Sequence, residues 1–449
     1  MEPARPRRWP PLRVDKLVSM LRERPWTRLM LIALIFLGLR LALIPVVWPE
    51  RAPAECIDPP YDGCGFIFDE AHYVPAVRKY MMGRLDANLE HPPLSKWIIW
   101  AGILILGDNP WGWRILNTIF SAATIVVIGL IAYQLSKSLK MAIIAELLVA
   151  TDVTFFNLGG TAILDPPALF FMALALLLYI KGMRAGSAIS LGLALLSKTS
   201  SLIALAAIAG IEVGHPLVNT MRIDKAWDSF RKYLREIFFP ALLVFVIGLA
   251  AWDAQVGVYQ TPLHHLQFMF DYHTKLVYYN PLEVELPLSW IIPPISRMPT
   301  PFAVYFNPIG LRPVAFWGVS SPVWWSIWLI MPLSYLIIRD GRPLHNPSPE
   351  LILMAWFIIT YGSFLYLGYV AHRWVYIFYF LQVLIVLAPI VPIILEKRGY
   401  GLLLTVLLAF QIFWFVLWFP VKPDWFLELM TSLGLGDVPW VPVSGPPAC

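Results

Sequence analysis

Charge is what this sequence has least of. Asp, Glu, Lys and Arg make up 14% of its 449 residues, against about a quarter in a typical soluble domain, and mean hydropathy is +0.66. That shortage excludes an ordinary water-soluble globular protein. Cysteine is scarce too, at three residues. Cys56 and Cys64 flank Asp-Pro-Pro-Tyr-Asp-Gly and would close a small loop in an oxidising compartment or remain two thiols, while Cys449 is the final residue. Walker A, GxGxxG, HExxH and CxxC motifs are all missing, and with them the nucleotide, zinc-protease and dithiol chemistry they mark. There is no internal repeat, no low-complexity tract and no segment that reads as a soluble domain.

Long apolar runs fill the space that charge leaves. A bilayer core about 30 Å thick takes about 20 residues of helix. Eleven runs approach that length, at about 28–47, 112–135, 141–158, 165–180, 186–197, 200–214, 237–255, 318–338, 350–369, 374–395 and 400–420. The fifth is short for a span. Lys and Arg orient them, because cytoplasmic loops carry the positive excess. With a cytoplasmic N-terminus, 21 of the 34 basic residues lie inside, 12 outside, and Arg40 within the first span. The net charge of +5 is then explained by contact with anionic inner-leaflet lipid, without nucleic acid. The basic segment 1–27 reads as a cytoplasmic tail, followed by a retained first helix with no small-residue cleavage site. The chain as a whole, 1–449, reads as one membrane domain in a cell membrane.

Two segments on the external face, 48–111 and 256–317, are too long to be plain connections, and such loops carry function. The first holds FDEAHYVPAVRKYMMG, a short helical pattern, and then HPPLSKWIIWAGILILG. A crossing by that second stretch would invert every later loop against the charge rule. It is therefore expected at the interface, with Trp97 and Trp100 at headgroup depth. The second segment is rich in proline and aromatics and suggests an ordered lip at the membrane surface.

The residues able to do chemistry all fall on that external side. Asp69 and Glu70 are adjacent, about 100° apart on a helix, so one at most serves as general base, and burial would raise its basicity. A pair of acids completing a helix dipole is the plain alternative. His91 precedes two prolines that also suit a structural corner. Arg114 can grip a phosphate with two parallel hydrogen bonds, or snorkel to the interface. Asp165, before Pro166 and Pro167, can cap a helix or face a substrate. Lys198 and Arg373 add cations suited to an anionic headgroup. Acids and cations gathered at one interface suit a reaction in which a lipid phosphate leaves as a hydroxyl loses its proton.

These residues form an ordered series: Phe68-Asp69-Glu70 with Tyr73 and Tyr80, His91-Pro92-Pro93-Leu94-Ser95-Lys96, Trp113-Arg114, Ala162-Ile163-Leu164-Asp165, Leu196-Ser197-Lys198, Ser321-Pro322-Val323-Trp324-Trp325 and His372-Arg373-Trp374-Val375-Tyr376. The series resembles the protein O-mannosyltransferases of the GT-C superfamily over nearly the whole membrane domain. The resemblance implies an all-α polytopic fold of about 11 transmembrane helices, with two juxtamembrane helices in the first external loop. It implies metal-independent transfer of mannose, with inversion, from dolichyl (polyprenyl) phosphate mannose to Ser or Thr hydroxyls of a secreted or surface protein. No cofactor is expected, since the lipid-linked donor is a substrate. By the same resemblance Asp69 is the principal catalytic acid, Glu70 its helper near the acceptor and Arg114 a phosphate contact. His91, Asp165, Lys198 and Arg373 complete the substrate-binding set.

Two departures bear on the acceptor. Val258 to Leu311 is too short for the MIR domain of eukaryotic members, as in prokaryotic relatives, and Asn280 to Trp290 matches the family's Trp-rich pattern only loosely. A GT-C transferase acting on a lipid or glycan, like the aminoarabinose transferases, is the nearest rival. A polyprenyl-lipid transporter would instead use charge near the midplane and repeated halves. The sequence leaves dimerisation open.

Overall fold

The structure is a computed structural model and describes residues 25–281, 284–294, 300–307, 312–340 and 348–434. Most of the expected basic N-terminal tail, and Pro299 of the second loop, lie outside the described residues.

Apolar helices dominate because apolar segments without water must satisfy their own backbone groups. In chain order the helices before the second long loop are α1 (Pro25–Leu43), α2 (Glu70–Met81), α3 (Leu94–Leu106), α4 (Pro110–Ser136), α5 (Leu139–Ala150), α6 (Val153–Gly159), α7 (Asp165–Ile180), α8 (Arg184–Ser197), α9 (Leu202–Thr220), α10 (Ile223–Tyr233) and α11 (Phe239–Val256). A π-helical turn, Leu234–Phe238, joins α10 to α11. There follow α12 (Pro262–Lys275), a β1–β2 hairpin (Thr300–Asn307 with Arg312–Gly318), α13 (Pro322–Trp325), α14 (Ile327–Arg339), α15 (Pro349–Leu365), α16 (Leu381–Lys397), α17 (Gly401–Leu417) and α18 (Asp424–Ser432). The antiparallel hairpin is an addition to the all-helical expectation.

Among the described residues, seven helices are long and apolar enough to span a bilayer, and the bent pair α5–α6 makes an eighth. The chain is a multi-pass membrane protein. Each of the eleven apolar runs coincides with a helix, but α7, α8 and α17 are shorter than a full span, at 16, 14 and 17 residues. Helix α16 is the hub, with every residue from Leu381 to Leu395 buried.

The α5–α6 bend of 70° has a local cause. Asp152 caps α6 by accepting the Phe155 N–H at 2.8 Å, and its other oxygen takes the Trp324 indole N–H at 2.6 Å. Arg40, buried within α1, donates to the carbonyls of Phe155 and Phe156 at 3.1 Å each. Those contacts redirect the chain so that residues 160–164 pass beneath α2. Asn117 of α4 holds that stretch, donating to Thr161 and Ile163 carbonyls at 2.9 and 2.7 Å.

Helix α3 has 13 residues, about 20 Å, and packs on α4 through Gly102 and Gly112. Trp97 stands edge-on to Trp252, and Trp100 lies 6.2 Å from Tyr80. Cys56 and Cys64 are joined in a disulfide, which decides the pairing that sequence leaves open.

Candidate active site

The site forms where the first long segment meets the starts of α4 and α7 and the end of α8. Phe68 is held at φ +53°, with its ring edge-on to Tyr376 and Phe378. A non-glycine residue there costs about 1–2 kcal/mol and is held by its surroundings. Immediately after it the two acids meet different environments.

Glu70 turns inward and is fully buried. It accepts two parallel bonds from Arg114, Nε at 2.8 Å and an NH2 at 2.7 Å, and the backbone N–H groups of Ile67 and Ala162 at 2.8 and 2.7 Å. Arg114 spends its other N–H groups on the carbonyls of Ile44, Val47 and Gly65. All five donors of the guanidinium are thus used by the protein. This corrects two expectations. Arg114 has no donor left for a phosphate, and Glu70 has no face toward an acceptor. Together they brace the loop that presents Asp69.

Asp69 occupies the N-cap position of α2 but makes no cap hydrogen bond, and its half-buried carboxylate has no hydrogen-bond partner among the described residues. A side-chain cap hydrogen bond is therefore not what holds it in place. Burial lifts its pKa to about 6, and nearby Asp165 pushes the same way, while His72 and Lys198 pull it back.

Asp165 and Lys198 form a buried pair, Nζ lying 2.8 Å from each carboxylate oxygen. Asp165 is the first residue of α7 yet caps nothing, since the N-cap position is Leu164. The Lys198 ammonium sits over the rings of Phe378 and Tyr379 at 4.9 and 5.0 Å. Ser95 brings these two elements together, its hydroxyl lying 3.2 Å from the Leu164 carbonyl and 3.3 Å from that of Ser197. The HPPLS stretch thus works as a corner that sets the spacing of Asp165 and Lys198.

The His91 ring lies between Tyr73 and His273, at centroid distances of 5.7 and 5.1 Å, with Nδ1 buried and unpartnered. Burial and then the neighbouring His273 and cations hold it neutral, well below the usual histidine range. Arg373 is half-buried and braced on α12, donating to the His273 carbonyl and Nδ1 at 3.0 Å each and to the Trp374 carbonyl at 3.4 Å. It keeps two N–H groups to spare, unlike Arg114. Of the residues singled out from sequence, Asp69, His91, Asp165, Lys198 and Arg373 gather at the site, while Glu70 and Arg114 lie beneath it. Sequence reasoning missed His273 on α12. Its one signal was Asp271-Tyr272-His273-Thr274-Lys275, a polar run within an aromatic loop.

Fold and site together define a polytopic membrane protein with charged side chains gathered beside its first long loop. Residues 90–251 match the family model described as dolichyl-phosphate-mannose-protein mannosyltransferase. The polyprenol-phosphate-mannose–protein mannosyltransferase of Corynebacterium glutamicum is 35% identical over 121 residues, 24% of this chain and 23% of that protein. The chain thus spans about a quarter of the length of the curated relatives it matches first. The S. cerevisiae protein O-mannosyltransferase Pmt1-Pmt2 complex bound to the sugar donor shares the fold at a TM-score of 0.64 and 10% identity, over 93% of each chain. ArnT from Cupriavidus metallidurans matches at 0.50 and 16% identity, over 82% of this chain and 60% of that one. The sequence matches fall on part of the chain, and the structural likenesses show a shared fold.

Proposed function

We propose that this protein transfers mannose from a polyprenyl (dolichyl) phosphate mannose to Ser or Thr hydroxyls of proteins, with inversion, at the external face of a cell membrane. The observation that carries the reading is Asp69, a half-buried carboxylate with no cap or ion-pair partner, set beside the Asp165–Lys198 pair. In a single in-line displacement the acceptor oxygen attacks the anomeric carbon and Asp69 takes its proton. The polyprenyl phosphate leaves with the bonding electrons. Lys198, with one N–H beyond its two bonds to Asp165, and Arg373, with two, are placed to stabilise the departing charge. No step is routed through a metal or cofactor.

A lipid or glycan acceptor is the second reading, favoured by the ArnT likeness in fold. The family-model match and the name of the Corynebacterium relative support the protein acceptor. The test is Asp69→Asn, purified and assayed with labelled mannose on polyprenyl phosphate and a Ser/Thr peptide. A general base contributes roughly 100- to 10,000-fold. Loss on that scale, with unchanged melting in detergent, is expected. A variant transferring at the wild-type rate sinks the assignment, and labelled glycolipid in place of glycopeptide would move the acceptor to the second reading.

A further inference from the structure

Five consecutive backbone carbonyls, Ala87 to His91, accept hydrogen bonds from side chains. An irregular surface segment would normally give them to water. The Tyr80 hydroxyl donates to Ala87 at 2.8 Å. The buried Lys96 ammonium donates to Asn88, and to His91 at 2.8 Å. Leu89 accepts from His265 Nε2 at 2.7 Å and Glu90 from His273 Nε2 at 3.1 Å. The first two donors belong to the same loop region as the carbonyls. The two histidines lie on α12, in the other long loop.

We propose that His265 and His273 are positioning residues: through them α12 clamps the segment ending in His91, and so fixes one wall of the site. The catalytic part of this inference rests on the function proposed above. The partners define the protons. His273 gives its Nε2–H to Glu90 and receives an Arg373 N–H on Nδ1 at 3.0 Å, so its ring is neutral with one tautomer. His265 faces acceptors on both sides, the Leu89 carbonyl and, on Nδ1, the Asp253 carboxyl at 2.6 Å. The His265–Asp253 pair must therefore hold two protons, either as imidazolium with carboxylate or as imidazole with carboxylic acid. An ionised Asp253 beside a neutral ring would set two lone pairs against each other. The ring is wholly buried, with Tyr259 stacked on it at 4.3 Å. Asparagine at 253 would satisfy a neutral ring directly, donating to Nδ1 and leaving Nε2–H for Leu89.

Full-length wild type, His265→Ala, His273→Ala, His273→Gln and Asp253→Asn in detergent test the clamp by hydrogen exchange of peptides covering 84–93 and by kcat and KM for transfer. The alanine variants should speed exchange in 84–93 tenfold or more without change in α4 and α16, and lower kcat about 10- to 100-fold with little change in KM. His273→Gln, which keeps a donor and an acceptor, and Asp253→Asn should stay within about threefold of wild type on both measures. Unchanged exchange in both alanine variants overturns the clamp, as does equal damage in the Gln and Asn variants. If wild type transfers nothing yet the alanine variants loosen 84–93, the clamp stands and the proposed reaction falls.

Discussion

A carboxylate serves as a base only in its ionised form, so the surroundings of Asp69 set the pH at which it works. Burial raises its pKa to about 6, so below that value it keeps its proton and cannot accept another. The transfer rate should rise with pH through about 6, falling roughly tenfold per unit on the acid side, as a rate profile in detergent would show. A profile flat from pH 4 to 8 would count against Asp69. The opposite logic governs Arg114 and Glu70, which hold each other by two hydrogen bonds away from solvent. Breaking a buried pair from one side leaves an uncompensated charge and costs about 3–5 kcal/mol. Arg114→Lys, which cannot reproduce the fork or reach three carbonyls at once, should lower thermal stability by that order, while the folded fraction binds donor normally. Normal stability with lost donor affinity would return Arg114 to the phosphate.

At the scale of elements, close backbone approach decides where the helices sit. A Cβ on Gly112 would run into the Gly107 carbonyl oxygen, and one on Gly102 into that of Gly112. The α3–α4 contact therefore depends on these two glycines, as small residues allow in packed membrane helices. Gly112→Ala should destabilise the protein by about 1–3 kcal/mol and shift the corner at Ser95, lowering transfer as well. Melting and rate measured together check this, and an unperturbed variant would show that α3 is free to move. The apolar runs revealed the helices because hydrophobic length is written locally. The break between α5 and α6 was not legible, since Asp152 turns the chain with the help of Trp324, which lies 172 residues away.

For the whole molecule, the orientation proposed from the distribution of Lys and Arg can be checked directly. In a background with Cys449→Ser, His372→Cys should react with a membrane-impermeant thiol reagent in intact cells, while Lys137→Cys and Lys225→Cys should not; the reverse pattern would invert the topology. Sequence by itself determined that the chain lives in a membrane and where its helices lie, and it proposed which polar residues share one side. Each of these follows from composition, run length and loop charge, which need no knowledge of distant contacts. The order of the motifs also carried the family resemblance. Only the tertiary structure decided which partners each polar residue has. Asp69 and Glu70 are neighbours in the chain, yet Arg114, Ile67 and Ala162 occupy one carboxylate and leave the other open. His273 acquired its place because Glu90 offers a backbone carbonyl, a partner present at nearly every position and so invisible in a list of side chains. Local physics chooses the elements, whereas hydrogen-bond partners tens to hundreds of residues apart decide which polar groups are taken up by the fold and which stay open.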